Sequence, residues 1–440
     1  MTHHILFHLT ARQHEIEARM REPAHFPLAH LPPHPLATFH QIRPDLRALL
    51  LSLFLVNFGY FMVLPIMAVY LTTQRHFSSG EVGLIMALAL GVQKALSLPA
   101  GLAADRLGRR GVLLTGLGLR VIGFALFGWG LTFPVVLIAA ITSALGGALL
   151  GPPVRAQLAE EKDANIRKQL FILRQLVGNL GATLAPLAGG LAALLDVRAG
   201  FLVASAMHAF AFTLCLRHVR LASPHPQAVR VAQLAGLVWN RSFLLLLVAI
   251  LAFLALFSQL NVTLPLRLAR LLTAEGHSSQ VIQALSGTLL LVNGVVVIGA
   301  QLALLRWMGG QAAHRLFQIG VLLTAGGLLL ALTIPSLWAV YAGVAVFSIG
   351  EVMVFPAIDE LVTLFAPRAL LATAFGFSSL AWAVGGSVGN YIGPSVAALA
   401  PAAWPWVAML IAALGLGTLW AVIRVQADGV QRQPEQLAGN

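Results

Sequence analysis

The chain has 440 residues, of which 58% are hydrophobic and only 10% charged, and its mean hydropathy is +0.84. This composition excludes a soluble enzyme. The 41 Gly and 22 Pro are scattered inside apolar runs instead of pooled in polar tracts, which excludes a disordered or collagen-like chain. The formal net charge of +12 sits in short loops between apolar stretches, a pattern that orients a chain against a bilayer and builds no basic face for nucleic acid.

Eight of the fourteen His fall in the first 44 residues, among Arg12, Glu15, Glu17, Arg19, Pro32, Pro33 and Pro35. They show no regular ligand spacing, so residues 1–44 are expected to form a disordered His-rich cytoplasmic tail, with Met20 an alternative start and metal binding the lesser reading. No long apolar segment of a signal peptide is present there. A hydrocarbon core takes roughly 20 apolar residues per helix. Twelve such runs follow, at 48–72, 81–103, 112–131, 133–153, 168–193, 198–216, 242–265, 280–305, 315–333, 336–358, 370–394 and 403–424. Their apolar residues run continuously, which excludes a strand-based barrel.

The expected architecture is an all-α polytopic membrane protein with two pseudo-symmetric six-helix bundles, at 45–216 and 242–424. A polar cytoplasmic linker at 217–241, with Ser223-Pro224-His225-Pro226 at its centre, joins them, and a cytoplasmic tail covers 425–440. An internal echo supports a duplication: Gly146-Gly147 then Pro152 in span four, Gly350-Glu351 then Pro356 in span ten. Lys and Arg divide by about four to one across the membrane, with Arg43, Arg47, Arg106, Arg109, Arg110, Arg155, Lys162, Arg167, Lys168, Arg217, Arg220, Arg230, Arg241, Arg306, Arg315, Arg368 and Arg424 on one side and Arg75, Arg198, Arg267 and Arg270 on the other. That bias places both termini in the cytoplasm.

After span two stands Gly101-Leu102-Ala103-Ala104-Asp105-Arg106-Leu107-Gly108-Arg109-Arg110. Gly101 lets another helix approach closely, Gly108 allows a tight reversal, and Asp105 can pair with an Arg or a helix amino terminus. The segment resembles the signature loop of the major facilitator superfamily, in the place where that family carries it. The resemblance implies that Gly101, Asp105, Arg106, Gly108, Arg109 and Arg110 form a latch between the two halves on the cytoplasmic side. The corresponding loop of the second half, Arg306-Trp307-Met308-Gly309-Gly310, lacks the Asp.

In span five, Gly181-x-x-x-Ala185-Pro186-x-x-Gly189-Gly190 is similar to the family's antiporter motif, with Ala185 at one Gly position. Its family implication is export by exchange with protons. A generic small-residue packing face is the alternative, and either way Pro186 makes a bend beside the other half reasonable. The resemblance covers about Asp45 to Arg424. Span four lacks the mid-membrane arginine of many drug exporters of the family, Arg155 lying only at its end, and span one offers Asn57 where several place an acid.

Charges at bilayer depth are costly and therefore candidates for function. Four stand out: Lys94, Arg120, Arg174 and Glu351, expected in one layer nearer the cytoplasmic face. Glu351 is the acid well inside a span and the candidate for proton coupling, because burial and access to water act oppositely on a carboxyl's hold on its proton. Lys94, Arg120 and Arg174 are its candidate charge partners, and Lys94 could instead favour anionic or zwitterionic substrates. Asn57, Gln259, Asn261, Asn293, Trp382, Asn390 and Tyr391 are candidates for a central cavity, with helix-to-helix hydrogen bonding the alternative for the polar ones. Trp129, Trp338, Trp404 and Trp406 read as interface anchors, and His208 and Cys215 as packing.

The function expected is export of small amphipathic compounds in exchange for protons by alternating access, from the inner membrane, by a monomer and without cofactor or metal. A carrier of a defined metabolite such as an organic acid or sugar is the alternative on the same fold. A membrane enzyme or receptor would need clustered nucleophile, base or metal ligands within the spans, and none stands out; Asp359 and Glu360 fall at the cytoplasmic edge.

Overall fold

The computed structural model describes residues 42–130, 132–195, 197–219, 236–237, 239–399 and 403–438. The expected tail before residue 42 and most of the linker lie outside them. Twelve helical rods follow in order. In the first half, span one is Pro44–Thr73, span two Ser79–Ala95 with Ser97–Leu107, and span three Arg109–Trp129. Span four is Phe133–Ala148 with Gly151–Ala159, span five Ala164–Leu195 and span six Val197–His218. In the second, span seven is Arg241–Phe257 with Thr263–Ala274, span eight Ser279–Gly310, span nine Ala313–Thr333, span ten Leu337–Phe365, span eleven Leu371–Leu399 and span twelve Trp404–Ala438. Among the described residues ten helices are long and apolar enough to cross a membrane, eleven with the two pieces of span two, which bend by 43° at their junction. The 32-residue span five completes the twelve.

Local chemistry marks the rod ends. Ser78 caps span two through a reciprocal pair with Glu81, Asn240 accepts the Phe243 amide at 3.1 Å, and Pro44 and Pro134 stand in first turns, where no amide donor is missed. Gly151-Pro152-Pro153 breaks span four because the prolines remove donors, and a 3-10 turn at Ser258–Leu260 breaks span seven. Several rods outrun their apolar windows on the arginine-rich side: span ten continues to Phe365, and span twelve to Ala438 through the segment read as a tail.

The helix pairs reveal the duplication. In the first half span one packs on spans five and six, three on four and six, and two on four; in the second half seven packs on eleven and twelve, nine on ten and twelve, and eight on ten. Each pair maps onto its partner six spans on. The repeat extends to atoms. A Cβ built on Gly116 would lie 2.9 Å from the Gly146 carbonyl oxygen, and one on Gly320 2.7 Å from that of Gly350. These pairs, with Gly123 against Ser143 and Gly327 against Phe347, keep one constant sequence offset between the halves. By the same offset Glu351 corresponds to Gly147, whose side-chain space is filled by the Arg120 guanidinium.

Two smaller expectations divide. His208 and Cys215 are buried, His208 against the Phe124 ring at 4.8 Å and Cys215 donating to the Ser52 hydroxyl at 3.3 Å. Trp129, Trp338 and Trp406 are exposed as anchors would be, whereas Trp404 is buried.

Candidate functional site

The halves meet mainly through the arginine-rich ends of spans two and four against span eleven, and through span five against spans eight and ten. Asp105 stands in the last turn of span two. Its carboxylate accepts the Ala372 amide at 3.2 Å, the Thr373 amide at 2.7 Å and the Thr373 hydroxyl at 2.8 Å. Those amides open span eleven, where the helix leaves donors unsatisfied and its dipole favours an anion. A residue of one half thus caps a helix of the other.

Gly101 makes this approach possible: a Cβ there would collide with the backbone carbonyl of Ala372. Gly108 takes φ 100, which L side chains rarely adopt, and so turns the chain into span three. Arg109 is buried, 3.7 Å from Asp105 and 2.9 Å from Glu160, while Arg110 is exposed and donates to the Leu216 carbonyl at 2.8 Å. Arg106 is exposed. Contact between the halves is therefore made at Gly101 and Asp105, with Arg109 beside Asp105 and Arg110 tying span three to span six within its own half.

Beside it runs a row of ion pairs between helices far apart in the sequence. Arg174 donates to Asp359 at 2.5 Å, and Arg155 lies 3.6 Å from the same carboxylate. Arg155 also donates to the Phe375 carbonyl at 3.0 Å and to the Ser379 hydroxyl. Arg167 grips Glu360 with two bonds, at 2.7 and 3.0 Å, the bidentate arrangement in which a guanidinium binds a carboxylate best. Lys168 donates to the Gln311 carbonyl at 3.2 Å. Spans four and five are thereby tied to spans ten and eleven and to the loop after span eight. The available signal was an adjacent pair of acids at the end of span ten facing cations at the ends of two other spans.

Glu351 lies deeper, buried with 6% exposure. The Asn293 amide on span eight donates to it at 2.9 Å and to the Ser348 hydroxyl at 2.9 Å. The expected charge partners are elsewhere. Arg174 is committed to Asp359, two helical turns beyond Glu351 on span ten. Lys94 lies 4.4 Å from the Trp382 ring centroid. Arg120 lies over Tyr60 at 4.7 Å and contacts the Gln93 side chain at 3.4 Å, beside a small cavity lined by Tyr60, Met67, Gln93 and Ser143. Among the described residues no cation is within ion-pair distance of Glu351. The correction has a geometric cause: spacing along a helix measures depth, but the direction in which each side chain points depends on how the rods are rotated.

The family model described as Major Facilitator Superfamily matches residues 49–390. The chain belongs to the major facilitator superfamily. It is 28% identical over 389 residues to a multidrug resistance protein MdtH of Aeromonas salmonicida, covering 85% of this chain and 94% of that one. It is also 28% identical over 368 residues to an uncharacterized MFS-type transporter of Mycobacterium tuberculosis, covering 80% and 86%. Among solved structures it resembles the human organic anion transporter TETRAN (TM-score 0.67, 17% identity, 86% of this chain and 99% of that one) and the Escherichia coli fucose:proton symporter FucP (TM-score 0.65, 16%, 86% and 98%). At such identities these two share its fold.

In this superfamily member the residues singled out in span five form an internal packing face. Ideal Cβ atoms on Gly181 would lie 3.0 Å from the Asn57 side chain and the Phe58 amide, and one on Gly189 would strike the Met62 carbonyl, so Gly181, Ala185 and Gly189 pack on span one of the same half. Pro186 is exposed within the unbroken helix, which continues through Gly190. The other half is met by a different face, where Thr183 borders Gly294 of span eight and Asn179 donates to Gln301 at 3.3 Å.

The cavity candidates also separate. Asn57 bonds back to the Leu53 carbonyl at 2.8 Å. Gln259 is fully buried, donating to the Ala255 and Gly389 carbonyls at 2.7 and 2.9 Å, so it staples broken span seven to span eleven instead of facing a cavity. The break frees backbone groups that a buried amide satisfies. Asn261, Asn390 and Tyr391 are exposed, and Trp382 is 38% exposed between the halves.

Proposed function

We propose that this transporter exports small amphipathic compounds in exchange for protons, by rocking its two halves (45–216 and 242–424) about a site between them. The observation that carries the reading is Glu351, an acid buried deep within the second half that accepts a hydrogen bond from the neutral Asn293, with no cation in ion-pair reach among the described residues. A static buried carboxylate would be expected to hold a compensating cation. One that must load and release a proton is better served by neutral partners, since a carboxyl's hold on its proton changes between hydrocarbon and water. The relatives named multidrug resistance protein support efflux. The excess of Lys and Arg supports an arginine-rich side in the cytoplasm, with both termini there, and the bacterial relatives support the inner membrane. Twelve helices enclose a pathway within one chain, which makes a monomer sufficient.

The test is proton release on adding amphipathic compounds, neutral and charged, to purified protein in weakly buffered detergent, for the parent and Glu351→Gln. Gln keeps the shape, and its amide oxygen can still accept from Asn293. Binding with proton release by the parent, and binding without release by the variant, is the expected result. Binding without release by the parent would sink the assignment.

A further inference from the structure

The charges between the halves are not balanced where Lys94 stands. Its ammonium extends from span two across the seam and lies 4.4 Å from the Trp382 ring of span eleven. Phe355 of span ten is stacked on the same ring, with centroids 5.1 Å apart and planes within 22°. Lys94 and Phe355 thus share the Trp382 ring. Behind them Phe257 of span seven packs edge-on to Phe355 at 5.2 Å and to Trp382 at 6.3 Å. Three spans of the second half therefore build an aromatic wall, and the first half sets a cation against it.

Among the described residues no acid lies within ion-pair distance of that cation. The charge that acts on Lys94 is Arg155, of the same sign. Arg120, the other cation deep in the first half, also has no acid within ion-pair distance among the described residues, and its Nε and Nη1 are buried without a hydrogen-bond partner. Asp359 is spent on Arg155 and Arg174, and Glu360 on Arg167. An aromatic face is a weaker partner for an ammonium than a carboxylate, and one that a ligand bearing an anion can displace.

We infer that Lys94 and Trp382 form the anion-recognising part of the substrate site, and that the exported compounds are amphipathic acids, a carboxylate or equivalent anion joined to an aromatic or aliphatic body. The anion takes the ammonium, and the apolar body takes the ring face that the ammonium gives up. Trp382 is 38% exposed, so this face is reachable once Lys94 moves. Cationic compounds would meet Lys94 and Arg155 with like charge and are disfavoured. This inference rests on the exporter reading, and it concerns which compounds bind, not how binding is coupled.

Three probes of one shape test it: 2-naphthoate, 2-naphthylmethanol and 2-naphthylmethylammonium, titrated at equilibrium into purified protein in micelles, with empty micelles subtracted. The parent is expected to bind the naphthoate at least about tenfold tighter than the ammonium, a modest share of what one close charge pair supplies in a partly buried site. Lys94→Met should bring the three affinities together while the alcohol still binds, and Lys94→Arg should keep the preference for the acid. Equal or tighter binding of the ammonium by the parent overturns the inference and leaves the exporter reading standing. A preference that survives Lys94→Met overturns the assignment to Lys94, and failure of all three probes to bind overturns both readings. Because no proton gradient is present, loss of coupling at Glu351 leaves the expected preference unchanged.

Discussion

Asp359→Asn is expected to unlock the arginine-rich side of the transporter. The Asp359 carboxylate is buried and answers two cations of the other half, Arg174 at 2.5 Å and Arg155 at 3.6 Å. Without its charge two guanidinium groups face each other across a buried seam, and removing one partner of a buried pair costs about 3–5 kcal/mol. The cost falls only on the conformation in which the halves touch there. It therefore moves the equilibrium between conformations instead of unfolding either half, by about a hundredfold or more at the lower figure. Ser97, buried where Gly376 of span eleven crosses span two, offers a position to read this. In a Cys215→Ala background, a Ser97→Cys thiol should react with a membrane-permeant maleimide at least about tenfold faster once Asp359→Asn is added, as the closed state loses its advantage. Glu360→Gln, which frees a single cation, should act in the same direction and less. An unchanged rate in both would mean that the Asp105 cap and the glycine contacts hold the closed state alone.

How much of this was legible depends on whether a feature is local. The twelve rods are local: twenty apolar residues have to cross the bilayer wherever they sit, and the runs coincide with the helices apart from extensions at the rod ends, on the arginine-rich side for spans ten and twelve and on the opposite side for spans seven and eleven. The latch was half legible. Gly101, Asp105 and Gly108 announce a close approach and a turn, but the acceptors of that approach, the amides of Ala372 and Thr373, carry no side-chain signal because they are backbone. The ion pairs were the reverse case. Arg155, Arg167, Asp359 and Glu360 are plain in the sequence, yet a cation at the end of a span reads equally well as an orientation signal, and its partner lies on a helix of the other half.

Depth without direction also explains the fate of the Glu351 layer. Lys94, Arg120 and Glu351 were placed by counting along their helices, and counting cannot tell that Lys94 turns to Trp382 and Arg120 to Tyr60. The duplication held more information than the short Gly-Gly echo suggested. Extending the same offset to span three pairs Gly116 with Gly320 and Arg120 with Thr324, and it puts Arg120 beside Gly147, the counterpart of Glu351. The cation of one half thus stands beside the position equivalent to the acid of the other, without touching that acid.

Two glycine substitutions should part company sharply, because one glycine sits between the halves and the other within a half. A methyl at Gly101 would lie 2.7 Å from the Ala372 carbonyl carbon and 3.0 Å from the Thr373 Cα. Both are backbone atoms of span eleven, so no side chain can yield, and the halves cannot close fully on the arginine-rich side. If the halves rock as proposed, the contact exists only in that closed state, so Gly101→Ala is expected to fold, to keep its melting temperature within a few degrees, and to lose transport by about tenfold or more, as a helix displacement of about an ångström would do. A methyl at Gly350 would strike the Gly320 carbonyl and lie 2.7 Å from the Thr324 amide nitrogen, between spans nine and ten of one half. Those spans stay packed whichever way the halves rock, so Gly350→Ala is expected to cost about 1–3 kcal/mol or more in every conformation and to lower both yield and melting temperature. Thermal melting of both variants, together with the thiol reactivity of Ser97→Cys in the Gly101→Ala background, decides between these origins. A Gly101→Ala protein that melts early with Ser97→Cys still protected would mean that spans two and eleven belong to one rigid body, and the idea of two halves rocking about this seam would fall with it.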